Sequence, residues 1–146
     1  MDKNYAPLKL ENQICFPLYA VSKEVIKKYK PYLDPLGLTY TQYITMMVMW
    51  EKETINVKEL GEALYLDSGT LTPLLKKLEA KGFITRTRSR EDERTLCVEL
   101  TANGKELRDK LLPIPEQIAS CIPLNHDEAL QLYTLLHKLL NKLENS

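Results

Sequence analysis

Apolar residues recur at three- and four-residue steps through Ile14, Leu18, Val21 and Val25, which predicts a first helix over Ile14 to Leu33 with one greasy face and a Lys-rich wet one. Pro17 fits only in the opening turn, where a backbone N–H lacks a helical partner anyway, so Cys15 falls at or near the helix start. Pro31, Pro35 and Gly37 end this helix. Thr39 as cap, Gln42 three residues on and a Leu38–Tyr43 staple then open a second helix that runs to about Trp50. Its Met46, Met47, Val48, Met49 and Trp50 are apolar nearly all round, the pattern of a central buried helix.

Asn56 with Glu59 opens a short third helix, Val57 to Leu64, and a turn through Tyr65 to Asp67 leads to a fourth, Ser68 to Lys81, closed by Gly82. Pro73 leaves two starts open for the fourth helix. An early start with a local adjustment is preferred to a start at Pro73 with Thr72 as cap. Phe83 to Arg88 and Thr95 to Leu100 read as two strands of a hairpin, because Leu96, Val98 and Leu100 alternate with Thr95, Cys97 and Glu99. A fifth helix runs from Thr101 to about Leu112 and is interrupted by Pro113 and Pro115 before a helical piece at Ile118 to Cys121. Asn125, with Glu128 three residues later, caps a final helix whose stripe is Leu130, Tyr133, Leu136, Leu139, Leu140 and Leu143. Helix, short turn, helix and wing make the expected fold class mostly α with a small β-hairpin: a winged helix-turn-helix.

Composition narrows the class. A chain of 146 residues that is 44% hydrophobic and 27% charged supports one core, so a single domain over 1–146 is expected, as a dimer. No run approaches the roughly 18 apolar residues that span a bilayer, and no signal peptide is visible, so a cytoplasmic protein without a membrane partner is expected. Cys15, Cys97 and Cys121 are odd in number and widely spaced, which argues against a disulfide framework and against paired zinc ligands. No metal or cofactor is expected. His126 and His137, eleven residues apart on the last helix, lack ligand spacing and read as structural or solvated.

A formal net charge of +0 looks unsuited to nucleic acid, but binding depends on local charge. From Lys76 to Arg94 seven bases (Lys76, Lys77, Lys81, Arg86, Arg88, Arg90, Arg94) face four acids (Glu79, Glu91, Asp92, Glu93), and seven minus four leaves +3. Ser68, Gly69, Thr70 and Thr72 are small polar residues on the leading turns of the helix that would enter a major groove, with Lys76 and Lys77 placed to neutralise phosphates. At the hairpin tip Arg94 is placed for a minor groove and Asp92 for a fork-shaped ion pair with its guanidinium. Arg86, Arg88 and Arg90 would add backbone contacts. A solvated hairpin tip is the competing reading of any one arginine; together with the helix pair they point to DNA.

The remaining chemistry lies in the thiols. Apolar neighbours and a helix start would hold Cys15 in a shielded pocket, and a helix N-terminus favours a thiolate. Tyr19, Tyr29 and Tyr40 each offer a phenolic hydroxyl, so a redox-controlled repressor is indicated. Cys97, out of phase with Leu96 and Val98, reads as passive.

The arrangement resembles the bacterial MarR family over essentially the whole chain, with Asp67 to Phe83 and Asp92-Glu93-Arg94 matching its recognition helix and wing. Within that family, Gln13 to Tyr19, Leu38 to Tyr43 and Ser68 to Leu74 are similar to the organic hydroperoxide resistance (OhrR) repressors. The resemblance implies an intertwined homodimer, with dimerisation helices at about 10–34 and 101–146 and a winged helix-turn-helix at about 55–100 placed on half-sites of an inverted-repeat operator. It also implies that the reactive cysteine, here Cys15, accepts hydrogen bonds from tyrosines across the dimer interface, a role that maps onto Tyr29 and Tyr40 with Tyr19 nearby. Cys121 would be the resolving thiol, forming an intersubunit disulfide that releases the operator; a small cellular thiol is the other route. Three readings compete with an organic hydroperoxide signal: a repressor that binds a small aromatic ligand, a broader redox or virulence regulator of the same family, and a thiol peroxidase. The last gives no reason for a winged helix, so the chain is not expected to be an enzyme.

Overall fold

The computed structural model describes residues 2–89, 91–92 and 94–144. Two short 3-10 turns, Ala6–Leu8 and Leu10–Asn12, lead into α1 (Cys15–Leu33), which begins at Cys15 as Pro17 requires. Pro31 does not end α1; it sits inside the last turn, and a further 3-10 turn, Asp34–Leu36, reverses the chain. α2 (Tyr40–Lys52) opens on a capping box in which Thr39 Oγ1 accepts the Gln42 N–H at 3.3 Å and Gln42 Oε1 accepts the Thr39 N–H at 3.0 Å. In α3 (Val57–Leu64), Asn56 Oδ1 accepts the Glu59 N–H at 2.7 Å. α4 (Ser68–Ala80) takes the early start, with Asp67 Oδ1 accepting the Thr70 N–H at 2.7 Å and Pro73 inside the helix, so the Gly69 carbonyl meets no N–H four residues on.

Three of the reversals close in one way. The N–H of Leu38, Leu66 and Phe83 donates to the carbonyl of Leu33, Gly61 and Leu78 at 3.2, 3.0 and 3.1 Å, the six-to-one bond of a Schellman end. The residue before each has positive φ: Gly37 at 67°, Tyr65 at 57° and Gly82 at 82°. Tyr65 therefore carries the Cβ strain that glycine avoids, on the order of 1 kcal/mol.

The sheet has three strands where two are expected from sequence. β1 (Thr54–Asn56), β2 (Ile84–Arg88) and β3 (Leu96–Leu100) are antiparallel in the order β1-β3-β2. Three residues are too few for a two-residue alternation to show, which is why β1 is invisible in sequence. Thr101 Oγ1 caps α5 (Ala102–Leu111) by accepting the Gly104 N–H at 3.0 Å. α6 (Ile114–Cys121) starts four residues before the predicted piece, because Pro115 falls in its first turn and Ile114 and Ile118 both bury. α7 (His126–Glu144) opens on reciprocal Asn125 and Glu128 bonds of 2.9 and 3.0 Å.

α2 threads the core. Its Met46 and Met49 are fully buried with Leu60, Leu71, Leu75, Leu78, Ile84 and Val98, while Met47 is 43% exposed, so the helix is not buried all round. Trp50 Nε1 donates to the Gly104 carbonyl at 2.8 Å, fastening α2 to α5. A Cβ on Gly104 would lie 2.3 Å from the Phe83 carbonyl oxygen and 2.6 Å from Leu100 Cδ1. Gly104→Ala is therefore expected to cost about 1–3 kcal/mol and to lower the thermal midpoint by several degrees; a scanning-calorimetry trace matching wild type would contradict this packing.

Two apolar faces have no cover within one chain. On α1, Ile14, Leu18, Tyr19 and Val21 are exposed, Ile14 to 85%, and α7 buries none of its residues although Leu130, Tyr133, Leu135, Leu139 and Leu143 line it. The helical periodicity predicted for both is present, but these faces are exposed in the single chain.

Candidate functional site

The thiol and tyrosine residues expected from sequence to sense oxidant lie apart from those expected to face DNA. Cys15 is the first residue of α1, and no side chain caps the N–H groups of that first turn. The thiol is exposed rather than shielded: Leu18 and Tyr19 are exposed, and Phe16 lines a shallow pocket with Lys9, Leu10 and Glu11 at the preceding 3-10 turn. Tyr29 lies fourteen residues further along the same helix, about 21 Å at 1.5 Å per residue. Within one chain Cys15 and Tyr29 therefore do not meet.

Tyr29 and Tyr40 do meet, with ring centroids 4.9 Å apart, and Tyr43 completes a cluster at 5.7 and 6.3 Å from them. Burial, and in Tyr29 and Tyr43 the neighbouring phenols as well, pushes all three hydroxyls above the usual tyrosine range. They stay protonated at neutral pH and are hydrogen-bond donors. From sequence Tyr43 reads only as half of a staple; its three-residue spacing from Tyr40 on one helix is the signal for this grouping. Tyr19 stands apart, with Lys23 Nζ 5.1 Å from its ring centre. Cys121 is exposed at the last residue of α6, which packs on α1, and Cys97 is half-buried in β3.

On α4 the residues divide cleanly by face. Leu71, Leu74, Leu75 and Leu78 are buried, while Ser68, Gly69, Thr70, Thr72, Lys76 and Lys77 are exposed on the opposite side. At the wing the Ser89 N–H donates to the Thr95 carbonyl at 2.8 Å, and Asp92 organises the tip. Its carboxylate accepts the Arg94 backbone N–H at 3.0 Å and the Thr95 hydroxyl at 3.2 Å. The expected fork between Asp92 and the Arg94 guanidinium is absent among the described residues. The carboxylate is spent on the turn backbone, as aspartate side chains in turns often are, and the Arg94 side chain stays exposed.

Arg86 also departs from its expected role. Its Nη2 and Nε lie 3.0 and 3.3 Å from Glu79 Oε1, and its backbone N–H donates to Glu79 Oε2 at 3.0 Å. It is a strut between helix and wing rather than an outward phosphate contact, because its register with Val98 puts it on the inner face of the sheet. Arg88 is exposed, and Arg90 lies outside the described residues. Hydrogen bonds from Arg86 hold the Glu79 carboxyl below the usual range, and those from Thr70 do the same for Asp67. Both depressed values stabilise the fold at neutral pH, and that contribution is lost as pH falls below about 4 through the folded-state values.

A cleft of about 840 Å³ opens between the turn at Tyr65–Asp67 and the end of α7, lined by Leu66, Leu71, Leu140 and Leu143 and by none of the sensor residues. The Tyr65 hydroxyl bridges it to Glu144 at 3.3 Å. Among the described residues no cluster of three or more His, Cys, Asp or Glu could hold a metal ion, and no helix is long and apolar enough to cross a membrane.

A helix pair that presents small hydroxyls and lysines, followed directly by a braced hairpin with an arginine tip, defines a winged helix-turn-helix DNA-binding regulator. The chain belongs to the MarR-type transcriptional regulators, in the group of the organic hydroperoxide resistance and SarZ proteins, and matches the family "Transcriptional regulator SarA/Rot" over residues 27–111. It is 48% identical over 143 residues to the organic hydroperoxide resistance transcriptional regulator of Bacillus subtilis, covering 98% of this chain and 97% of that one. It is likewise 48% identical over 133 residues to the HTH-type transcriptional regulator SarZ of Staphylococcus saprophyticus, covering 91% of each. Among solved structures it resembles AbfR of Staphylococcus epidermidis. Reduced AbfR bound to DNA superposes with a TM-score of 0.80 at 33% identity over 94% of both chains. The disulfide form of AbfR gives 0.65 at 35% identity over 95% and 94%. The fold class and the family resemblance read from sequence are those of these proteins.

Proposed function

We propose that the chain is a homodimeric repressor that senses organic hydroperoxides through Cys15 and releases an inverted-repeat operator when that thiol is oxidised. The observation that carries this reading is the separation along α1. An exposed thiol begins the helix, the phenolic donors lie about 21 Å further on, and the apolar face between them is uncovered. A second copy running antiparallel about a twofold axis near Ser22 sets Cys15 beside Tyr29 of the partner subunit. In this reading Leu18, Val21 and the apolar stripe of α7 are buried between the two copies, dimerisation falls to α1 and α5–α7, and DNA reading falls to about 55–100. Relatives include an organic hydroperoxide resistance regulator and a protein solved in both DNA-bound and disulfide forms, which supports the reading.

In the first step the Cys15 thiolate attacks the terminal oxygen of the hydroperoxide. An S–O bond forms, the O–O bond breaks, and the departing alkoxide takes a proton to leave as alcohol. The sulfur is oxidised by two electrons and becomes a sulfenic acid. Helix N-termini and phenolic donors stabilise anions, which fits both the attacking and the oxidised sulfur. In the second step the Cys121 thiolate of the other subunit attacks that sulfur; an S–S bond forms, the S–O bond breaks, and the departing hydroxide takes a proton from solvent to leave as water. Cys121 lies between Pro115 and Pro123 at the end of α6, where the helix stops and the chain can give way.

Non-reducing electrophoresis tests the pairing. Cumene hydroperoxide is expected to convert wild type to a covalent dimer and Cys121→Ser to leave it monomeric; a covalent dimer persisting in that variant rules out the Cys15–Cys121 bridge.

A further inference from the structure

Arg86 has the charge of a phosphate contact and the position of a brace. Across the ladder it is paired with fully buried Val98, and only 19% of its side chain is exposed, so it faces α4 and the core rather than a ligand. One carboxylate meets it three times: Glu79 Oε2 accepts the Arg86 backbone N–H, and Oε1 accepts from Nη2 and Nε. The sheet order β1-β3-β2 makes β2 an edge strand, so the Glu79 oxygen occupies the place where another strand would bond. Between α4 and β2 lie only residues 81–83, with Gly82 at φ 82°. The base of the hairpin is held by the Phe83 N–H on the Leu78 carbonyl, the Thr101 hydroxyl on the Gly82 carbonyl and the pairing of β3 with β1, and the Glu79–Arg86 contact ties the strand beyond that base to α4.

We propose that Glu79 is a positioning residue for DNA binding, fixing through Arg86 the angle between the recognition helix and the wing so that both engage one duplex together. The proposal rests on the DNA-reading roles given above to α4 and Arg94. Two contact elements held in register bind without first losing the freedom of a swinging hairpin. The brace sits at the end of α4 remote from Ser68, and so does not itself touch the groove.

The test uses the full chain and a fluorescent duplex that wild type selects from a randomised pool. Affinity is read by anisotropy over a salt series, and thermal unfolding is followed in parallel. Glu79→Gln keeps the shape and removes one negative charge, which on electrostatics alone would tighten DNA binding. The brace predicts the opposite: about a tenfold loss of affinity, and a slope of log affinity against log salt shallower by roughly one for each phosphate that the wing no longer neutralises. The charge-swapped double variant Glu79→Arg with Arg86→Glu restores the guanidinium–carboxylate pair but leaves the backbone N–H of residue 86 without its acceptor, so it is expected to recover part of both quantities. Glu79→Gln binding as tightly as wild type with the same slope overturns the proposal. If that variant does not fold, Glu79→Asp, which keeps the charge on a shorter arm, decides in the same way. Wild type binding with no salt dependence would remove the DNA-reading roles themselves, an outcome distinct from an inert Glu79.

Discussion

Cys15→Ser holds its operator in cumene hydroperoxide at concentrations that release wild type. In a gel-shift titration, oxidised wild type is expected to lose between about fivefold and about 150-fold in affinity, the range of a coupling free energy of about 1–3 kcal/mol. The serine variant should show the same midpoint with and without oxidant. Serine is close to the size of the thiol at the start of α1 and its hydroxyl can accept a hydrogen bond, but it supplies no sulfur for a peroxide oxygen to transfer to. Tyr29 and Tyr40, held protonated by burial, remain donors in the variant, so its reduced-state geometry is retained. The apolar residues around Cys15, Phe16 and Leu18 among them, further predict faster oxidation by cumene hydroperoxide than by hydrogen peroxide, measured as loss of free thiol. Oxidant-driven release by the serine variant would end the sensor assignment, and equal rates with the two peroxides would end the preference for organic ones.

Arg94→Ala is expected to be nearly as severe, in the reduced state and without oxidant. The wing tip is ordered by Asp92 acting on the Arg94 backbone N–H and the Thr95 hydroxyl, neither of which the substitution removes. The exposed guanidinium makes no ion pair among the described residues, so folding should be untouched and the thermal midpoint within about a degree of wild type. Operator affinity should fall by about 1–3 kcal/mol, roughly 5- to 150-fold. Asp92→Ala should lower both affinity and wing order, because it removes the turn's own acceptor; this asymmetry between the two residues separates a contact from its support. An Arg94→Ala affinity indistinguishable from wild type would take the wing out of DNA recognition.

The two assignments differ in how they could be read. Caps at Thr39, Asn56 and Asn125 were legible because an N-cap is a bond between residues three apart, and the sequence writes both partners close together, whereas Thr101 read only as a helix start. The placement of Cys15 at a helix start followed equally from the local rule for Pro17. The Glu79–Arg86 brace was not legible, since nothing in the pattern says that the last turn of α4 lies against the edge of β2. The same limit made Arg86 look like a phosphate contact and Asp92 like a partner for the Arg94 side chain. β1 was missed because a strand of three residues exists only by pairing with β3.

Local chemistry along the chain thus determined the helices, their caps, the hairpin and the residues capable of redox and DNA chemistry. Its apolar periodicity also marked one apolar face on α1 and another on α7, both of which the single chain leaves exposed. Tertiary structure decided which groups meet: Tyr29 with Tyr40 and Tyr43, and Glu79 with Arg86, while Cys15 stays far along α1 from Tyr29. The physical reason is range. Caps and turns are settled by atoms a few bonds away, whereas ion pairs, ring clusters and uncovered faces depend on where a twisted sheet and a reversed helix bring distant parts of the chain.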